Sequence, residues 1–299
     1  MMKKESIPWF LFCLTALVSI FLVCVAYPRA QEPVSSPLAE AQIREVASRL
    51  LHDADKANCK PRGCRILVAD FTLASGLTSQ LGIQLADQFS KELASRQNGI
   101  GVVDRSVLHA YLEQERIPPD LLTSDKAIRW LGKELHSTAV LMGTTQTEGS
   151  LVRVQANFLS CYKEKLRPTG VFTLPLPDSK TALSGYDPFM KTPGLADSLL
   201  DPAVHRAGVA GVTTPTCMHC PPPDYTSDGR AAKFQGAAVL NVVVSSEGKV
   251  TSARIIHGIP FGLNEMALDA VRQWKFRPAT FQGNPVAAAV PIEISFRLF

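Results

Sequence analysis

The side chains with the widest chemical reach in this 299-residue chain are seven cysteines and six histidines, and their spacing speaks of redox state before catalysis. Two cysteine pairs sit close in sequence. Cys59-Lys-Pro-Arg-Gly-Cys64 encloses a turn that can bring its ends together, and Cys217-Met-His-Cys220 is a Cys-x-x-Cys. For the second pair, haem attachment would need a histidine straight after the last cysteine, where Pro221 stands. Zinc would need two further ligands, which only the first pair or an isolated histidine offers. A thioredoxin-type centre belongs at a helix N-terminus in a βαβ unit, whereas Pro221-Pro222-Pro223 follows here. Structural disulfides are therefore expected at both pairs, with Cys161 left as a buried thiol.

His52, His109, His136, His205, His219 and His257 are scattered rather than spaced as ligands. No Gly-x-Ser-x-Gly, His-Glu-x-x-His, Walker or Gly-x-Gly-x-x-Gly pattern occurs. The reading is a non-enzyme with no catalytic, cofactor or metal site. Asp70, Asp104 and Arg105 form a polar trio at expected strand ends, where caps and one ion pair account for them.

Disulfides need an oxidising compartment, and the N-terminus supplies a route to one. Ile7 to Tyr27 is an almost uncharged apolar run behind Lys3 and Lys4, which orients the N-terminus to the cytoplasm. The run exceeds the roughly 7–15 residues of a signal-peptide core and approaches the roughly 20 needed to span a bilayer. Its exits, Cys24-Val25-Ala26 and Pro28-Arg29-Ala30, are mediocre cleavage sites. Residues 1–30 are read as an uncleaved, single-pass inner-membrane anchor; a cleaved signal peptide, the alternative, would export the same remainder.

Residues 31–64 begin as a polar connector and continue as an amphipathic helix opened by Ser36-Pro37, with Ile43, Val46, Ala47, Leu50, Leu51 and Ala54 on one stripe. From 65 to 173 short apolar strands alternate with helices. Ile66 to Phe71 and Ile100 to Asp104 read as strands, each followed by a helix, the second capped by Ser106. Another helix opens at Ser124 or Asp125, and Ala139 to Thr145 and Leu151 to Leu159 are strands joined at Glu148-Gly149. Such alternation predicts an α/β domain with a partly parallel sheet. Residues 174–223 are a Pro/Gly-rich linker with no regular element. The net charge of +4 is small, and no basic stripe interleaved with aromatics appears, so nucleic acid is not an expected partner.

Residues 224–299 read as strand, turn, strand, helix, strand. Ala237 to Val244 gives way to Ser245-Ser246-Glu247-Gly248-Lys249, a hairpin signal, and Val250 to His257 returns. Asn264 is a plausible N-cap for a helix carrying Met266, Ala267, Ala270, Val271 and Trp274, which Pro278 ends. In the last strand Val290, Ile292, Ile294, Phe296 and Leu298 alternate, so one face is built for burial. The fold class is α+β: a membrane helix, an α/β middle domain and a C-terminal β-β-α-β domain.

The order Tyr225, Gly236-Ala-Ala-Val-Leu, Glu247-Gly248-Lys249-Val250, Ala267-Leu, Ala270-Val, Trp274-Lys-Phe-Arg-Pro278 and Ile292-Glu-Ile-Ser-Phe296 resembles the C-terminal domain of TonB-type energy transducers. Val68-Ala-Asp-Phe71, Val102-Val-Asp-Arg105, Leu131-Gly-Lys-Glu-Leu135 and Ala139-Val-Leu-Met-Gly143 are similar to the α/β domain of FlgO-like and CsgG-like envelope proteins, an assembly or binding module. The first resemblance implies an outer-membrane TonB-dependent receptor as partner, captured by strand addition at Tyr225, Val290, Ile292, Ile294, Phe296 and Leu298. It also implies ExbB/ExbD-like motor subunits. The family's membrane helix usually carries a histidine for them, whereas the span here has Ser19 and no histidine. A non-energised envelope adaptor, binding protein or cell wall, is the second reading. The exposed last strand could also pair with its own copy in a homodimer.

Overall fold

The computed structural model describes residues 37–56, 63–96, 99–162, 169–175, 185–186 and 204–298. The expected membrane anchor and Cys59 lie outside them. Among the described residues no helix is long and apolar enough to cross a membrane.

The first half is organised by one sheet. Its elements run α1 (Pro37–Lys56), β1 (Arg65–Val68), β2 (Thr72–Leu73), β3 (Thr78–Ser79), α2 (Gln80–Ala94), β4 (Gly101–Val102), α3 (Arg105–Glu115), a 3-10 turn (Pro119–Leu122), α4 (Asp125–Glu134), β5 (Ala139–Glu148), β6 (Leu151–Ser160), β7 (Thr169–Pro175) and β8 (Gly185–Tyr186). β1 pairs in parallel with β4 and β5, and β2 in parallel with β5, while β5, β6 and β7 form an antiparallel meander. The partly parallel sheet expected from the alternation is present.

Alternation along the strands sorts side chains onto two faces. Ile66, Val68, Leu141, Val154 and Phe158 pack under the stripe of α1 (Ile43, Val46, Ala47, Leu50) and that of α2 (Leu81, Leu85, Phe89). Leu67, Ala69, Val140, Met142 and Leu159 point the other way, against Leu108 of α3 and Ile128 and Leu131 of α4. Cys161, a buried free thiol as expected, lies on this second side. Burial pushes its pKa up to about 11 against the pull of Arg129 and Lys133. Cys64 is buried just before β1 and disulfide-bonded.

Two local expectations change. Asp104, not Ser106, caps α3: its carboxylate accepts from the Ser106 amide at 2.8 Å. Arg105 makes more than one ion pair, since it is buried, bonds both Asp70 and Asp87, and donates to the Val68 carbonyl. Burial works against the Asp70 carboxylate, but bonds from His109 and Arg105 outweigh it and hold its pKa below the ordinary value.

The second half begins inside the expected linker. β9 (His205–Arg206), β10 (Thr216–His219) and α5 (Ser227–Ala232) precede β11 (Gly236–Val244), β12 (Val250–His257), α6 (Leu263–Arg272), β13 (Lys275–Arg277), β14 (Ala279–Phe281), β15 (Asn284–Val286) and β16 (Ala288–Phe296). The β-β-α-β order is present with three short strands between α6 and β16. β8, paired with β3, and β9 and β10 correct the expectation of a linker without regular elements. Prolines suppress local regularity, but β10 gains a ladder from β13 and β9 one from β16. Gly248 makes the β11–β12 turn at φ +80°, and a Cβ there would lie 1.9 Å from the Phe276 carbonyl oxygen.

The helix cap also changes. Gly262 occupies the N-cap of α6 at φ +67°, and Asn264, two residues further on, is buried for another purpose. Its Oδ1 accepts from the Ile259 amide, and its Nδ2 donates to the Glu115 carbonyl (2.9 Å) and carboxylate (3.0 Å). Beside it the Gly258 amide donates to the Arg116 carbonyl at 2.8 Å, and Trp130 meets Phe261 with ring centroids 5.5 Å apart. The described residues thus form one compact unit, with a single apolar core running from α3 and α4 into the C-terminal sheet.

Candidate binding edge of the C-terminal module

The C-terminal sheet has the order β12-β11-β16-β9, which leaves two long strands at or near its edges. They differ in quality. The pairing of β12 with β11 shifts register twice, between Val239 and Leu240 and between Val243 and Val244, and exposed Arg254 stands on it. Bulges blunt an edge against further pairing. β16 pairs with β11 without a shift from Gly236↔Phe296 to Val244↔Ala288.

On its far side, among the described residues, β16 is paired only at its start, where β9 runs parallel at Ala288 and Ala289. The amides of His205 and Ala207 donate to the carbonyls of Ala287 and Ala289 at 2.9 and 3.0 Å. The amide and carbonyl of one strand residue leave on the same side, and the side alternates along the strand. Odd-numbered positions of β16 therefore point outward and even-numbered ones point to β11. Among the described residues no strand other than β11 pairs with β16 beyond Ala289. Pro291 takes the first outward position, where a missing N–H costs the β11 ladder nothing. Glu293 and Ser295, both exposed, are the outward positions that offer both a donor and an acceptor.

The residues singled out in the sequence come together, but as the floor of this edge. Ile294 and Phe296 are fully in the core, and Val290 and Ile292 pack against it half-buried. Leu298 lies just past the strand, half-buried. Tyr225 donates from its hydroxyl to the Phe234 carbonyl, meets Phe296 edge-on at 5.4 Å and carries the Arg230 guanidinium over its ring. Even-numbered side chains hold the strand in place, while beyond Ala289 the odd-numbered backbone groups face away from β11. Glu293 and Ser295 escaped the sequence reading. Pro291 was the available signal, because a proline inside a paired strand must face away from its neighbour, and that fixes the parity of every other residue.

Cys217 and Cys220 are joined by a disulfide. Cys217 lies on β10 and Cys220 directly after it; the ladder of β10 to β13 is irregular between Cys217 and His219, and the Trp274 indole donates to the Pro221 carbonyl just beyond.

Residues 221–298 match the family Gram-negative bacterial TonB protein C-terminal, and residues 44–166 match the family FlgO protein. Protein TonB of Xanthomonas campestris pv. campestris (strain B100) is 33% identical over 78 residues, which are 26% of this chain and 35% of that protein. The chain thus spans about a third of the length of the curated relatives it matches. Among solved structures, the LpoB C-terminal domain from Salmonella enterica aligns at 14% identity over 46% of this chain and 98% of its own, with a TM-score of 0.37. The Pseudomonas aeruginosa TonB C-terminal domain aligns at 18% identity over 31% of this chain and 95% of its own, with a TM-score of 0.24. Structural likenesses of that size carry no functional argument. The sequence matches do identify the parts: this chain carries a TonB-family C-terminal domain at residues 221–298 behind a FlgO-like region at residues 44–166.

Proposed function

We propose that the protein is an inner-membrane-anchored periplasmic component of TonB-type uptake, and that its C-terminal module captures an extended segment of an outer-membrane transporter as a new strand along β16. The observation that carries this reading is the regular outer edge from Glu293 onward, left open by β9 and unblunted by bulges. Main-chain hydrogen bonds to Glu293 and Ser295 supply affinity, and the half-buried Val290 and Ile292 line the near side for alternate side chains. The periplasmic setting agrees with the disulfides and with the apolar run at residues 7–27.

The test follows from the parity of the strand. Ser295→Pro or Glu293→Pro removes an outward N–H while sparing every bond to β11, as native Pro291 does. Fluorescence anisotropy with a peptide from the periplasm-facing segment of a transporter of the same cell should show about tenfold weaker binding for each, the value of one lost hydrogen bond and a misfitting ring. Unchanged binding by folded variants would remove the β16 edge from the mechanism.

A second reading, an adaptor that holds its partner without transmitting force, is favoured by two observations. The module is fastened to the FlgO-like region through Asn264 and Gly258, and the span at residues 7–27 has no histidine. Co-purification with proton-driven motor subunits decides for the transducer; capture of the peptide without them decides for the adaptor.

A further inference from the structure

The Cys-x-x-Cys of the sequence plays no part in strand capture, and its surroundings give it little to do as a staple. β10 is held without it. Thr216, Cys217 and His219 pair with Arg277, Phe276 and Lys275 of β13, and the next turn is fixed by the bond from Trp274 to the Pro221 carbonyl. A ring spanning only three residues also removes little entropy from the unfolded chain. What the disulfide does have is access. All four residues of β10 are exposed, and Met218, between the two cysteines, shows 69% of its surface. Cys64, the other disulfide-bonded cysteine among the described residues, is 3% exposed.

The two cysteines differ in a useful way. Cys217 is exposed, whereas Cys220 is half-buried and packs against the apolar core. The facing strand puts Phe276 opposite Cys217 and a cation on either side of it in register, Lys275 opposite His219 and Arg277 opposite Thr216. Cationic neighbours stabilise a thiolate and so favour its departure from a disulfide.

We propose that Cys217–Cys220 is an exchangeable disulfide, reduced in the folded protein by a dithiol of the thioredoxin-like class. The donor's thiolate attacks the Cys217 sulfur, the bond to Cys220 breaks, and Cys220 leaves as a thiolate that takes up a proton. The donor's second thiolate then attacks its own sulfur in the mixed disulfide and releases Cys217. The donor ends as a disulfide and the protein as a dithiol, with two electrons and two protons transferred. Exposed disulfides are the labile ones of a protein, and buried ones resist the same reductant. The four-residue strand β10 and the Pro221 contact to Trp274 are what such exchange would loosen.

Time-resolved alkylation of the full-length protein in dithiothreitol, with mass mapping of each cysteine, tests this. Cys217 and Cys220 should become alkylated at least tenfold faster than Cys64, while Cys161 stays protected, which reports that the fold is intact. Lys275→Gln should slow the reduction several-fold without changing the melting temperature, an effect a staple would not show. Reduction of Cys217–Cys220 no faster than that of Cys64, or only with exposure of Cys161, would overturn the proposal. Neither result bears on the strand-capture reading, since β16 is not altered.

Discussion

The two faces of the large sheet are closed in different ways. On one face α1 and α2 spend their whole apolar stripe on the strands beneath, and the core of Ile43, Leu50, Leu85, Phe89 and Phe158 ends there. On the other face α3 and α4 are apolar on two sides. Leu108, Ile128 and Leu131 turn to the sheet, while Tyr111, Leu112 and Trp130 continue the core toward Phe261 and Phe234 of the TonB-family module. The first face builds a domain; the second builds a joint. A helix layer with apolar residues on both sides cannot belong to one core alone, because removing either neighbour would leave large side chains in water.

The strongest test of that contrast removes a ring from the closed side. Phe89 is fully buried between Phe71 and Phe172, so Phe89→Ala should cost the FlgO-like region about 3–5 kcal/mol. The module has its own inner face of Leu240, Val242, Ile294 and Phe296 against Leu263, Ala267 and Val271. Native-state hydrogen exchange should therefore show the loss in α2 and β6 and unchanged protection in β11. Equal loss in β11 would mean one cooperative unit instead of two joined ones.

A smaller effect is expected at the joint. Gly258 lies so close to the FlgO-like region that a Cβ would stand 1.9 Å from the Glu115 carbonyl oxygen. Gly258→Ala must push the two halves apart, at a cost of about 1–3 kcal/mol. Exchange of the Gly258 amide, bonded to Arg116, should become fast while β11 stays protected. Unchanged exchange would mean that the contact yields locally and the joint is softer than its geometry.

These tests bear on what the sequence could and could not reveal. Periodicity exposed the stripes of α1 and α2, the alternation of β16 and the Gly248 hairpin, because each is fixed by neighbours a few residues away. The joint was invisible for the opposite reason. Asn264 looked like a cap since asparagine commonly caps, but its bonds to Glu115 reach across 149 positions, and Gly262, with φ +67°, took the cap. β9 and β10 were hidden in a proline-rich stretch because their partners, β16 and β13, lie far along the chain. The candidate edge was half legible: burial of the even-numbered residues followed from alternation, while its openness depends on where β9 stops.

The finest test uses one chemistry in two places. Ser79 caps α2, accepting from the Gly82 amide at 3.1 Å, and Ser124 caps α4, accepting from the Ala127 amide at 3.2 Å. Replacing either with alanine should cost about 1 kcal/mol, since each leaves one first-turn amide without its partner. The helices differ in what they serve. α2 closes only the first face, whereas the first turns of α4 also carry Lys126, whose Nζ donates to the Ala231 carbonyl, and Trp130. Ser79→Ala should lower the melting temperature of the FlgO-like region and leave exchange at Gly258 unchanged. Ser124→Ala, with an equal loss of stability, should also speed exchange at Gly258, because fraying at the start of α4 loosens both halves at once. If the two variants behave alike at Gly258, α4 is not the shared layer, and the joint rests on the contacts of Asn264 and Gly258 with the end of α3.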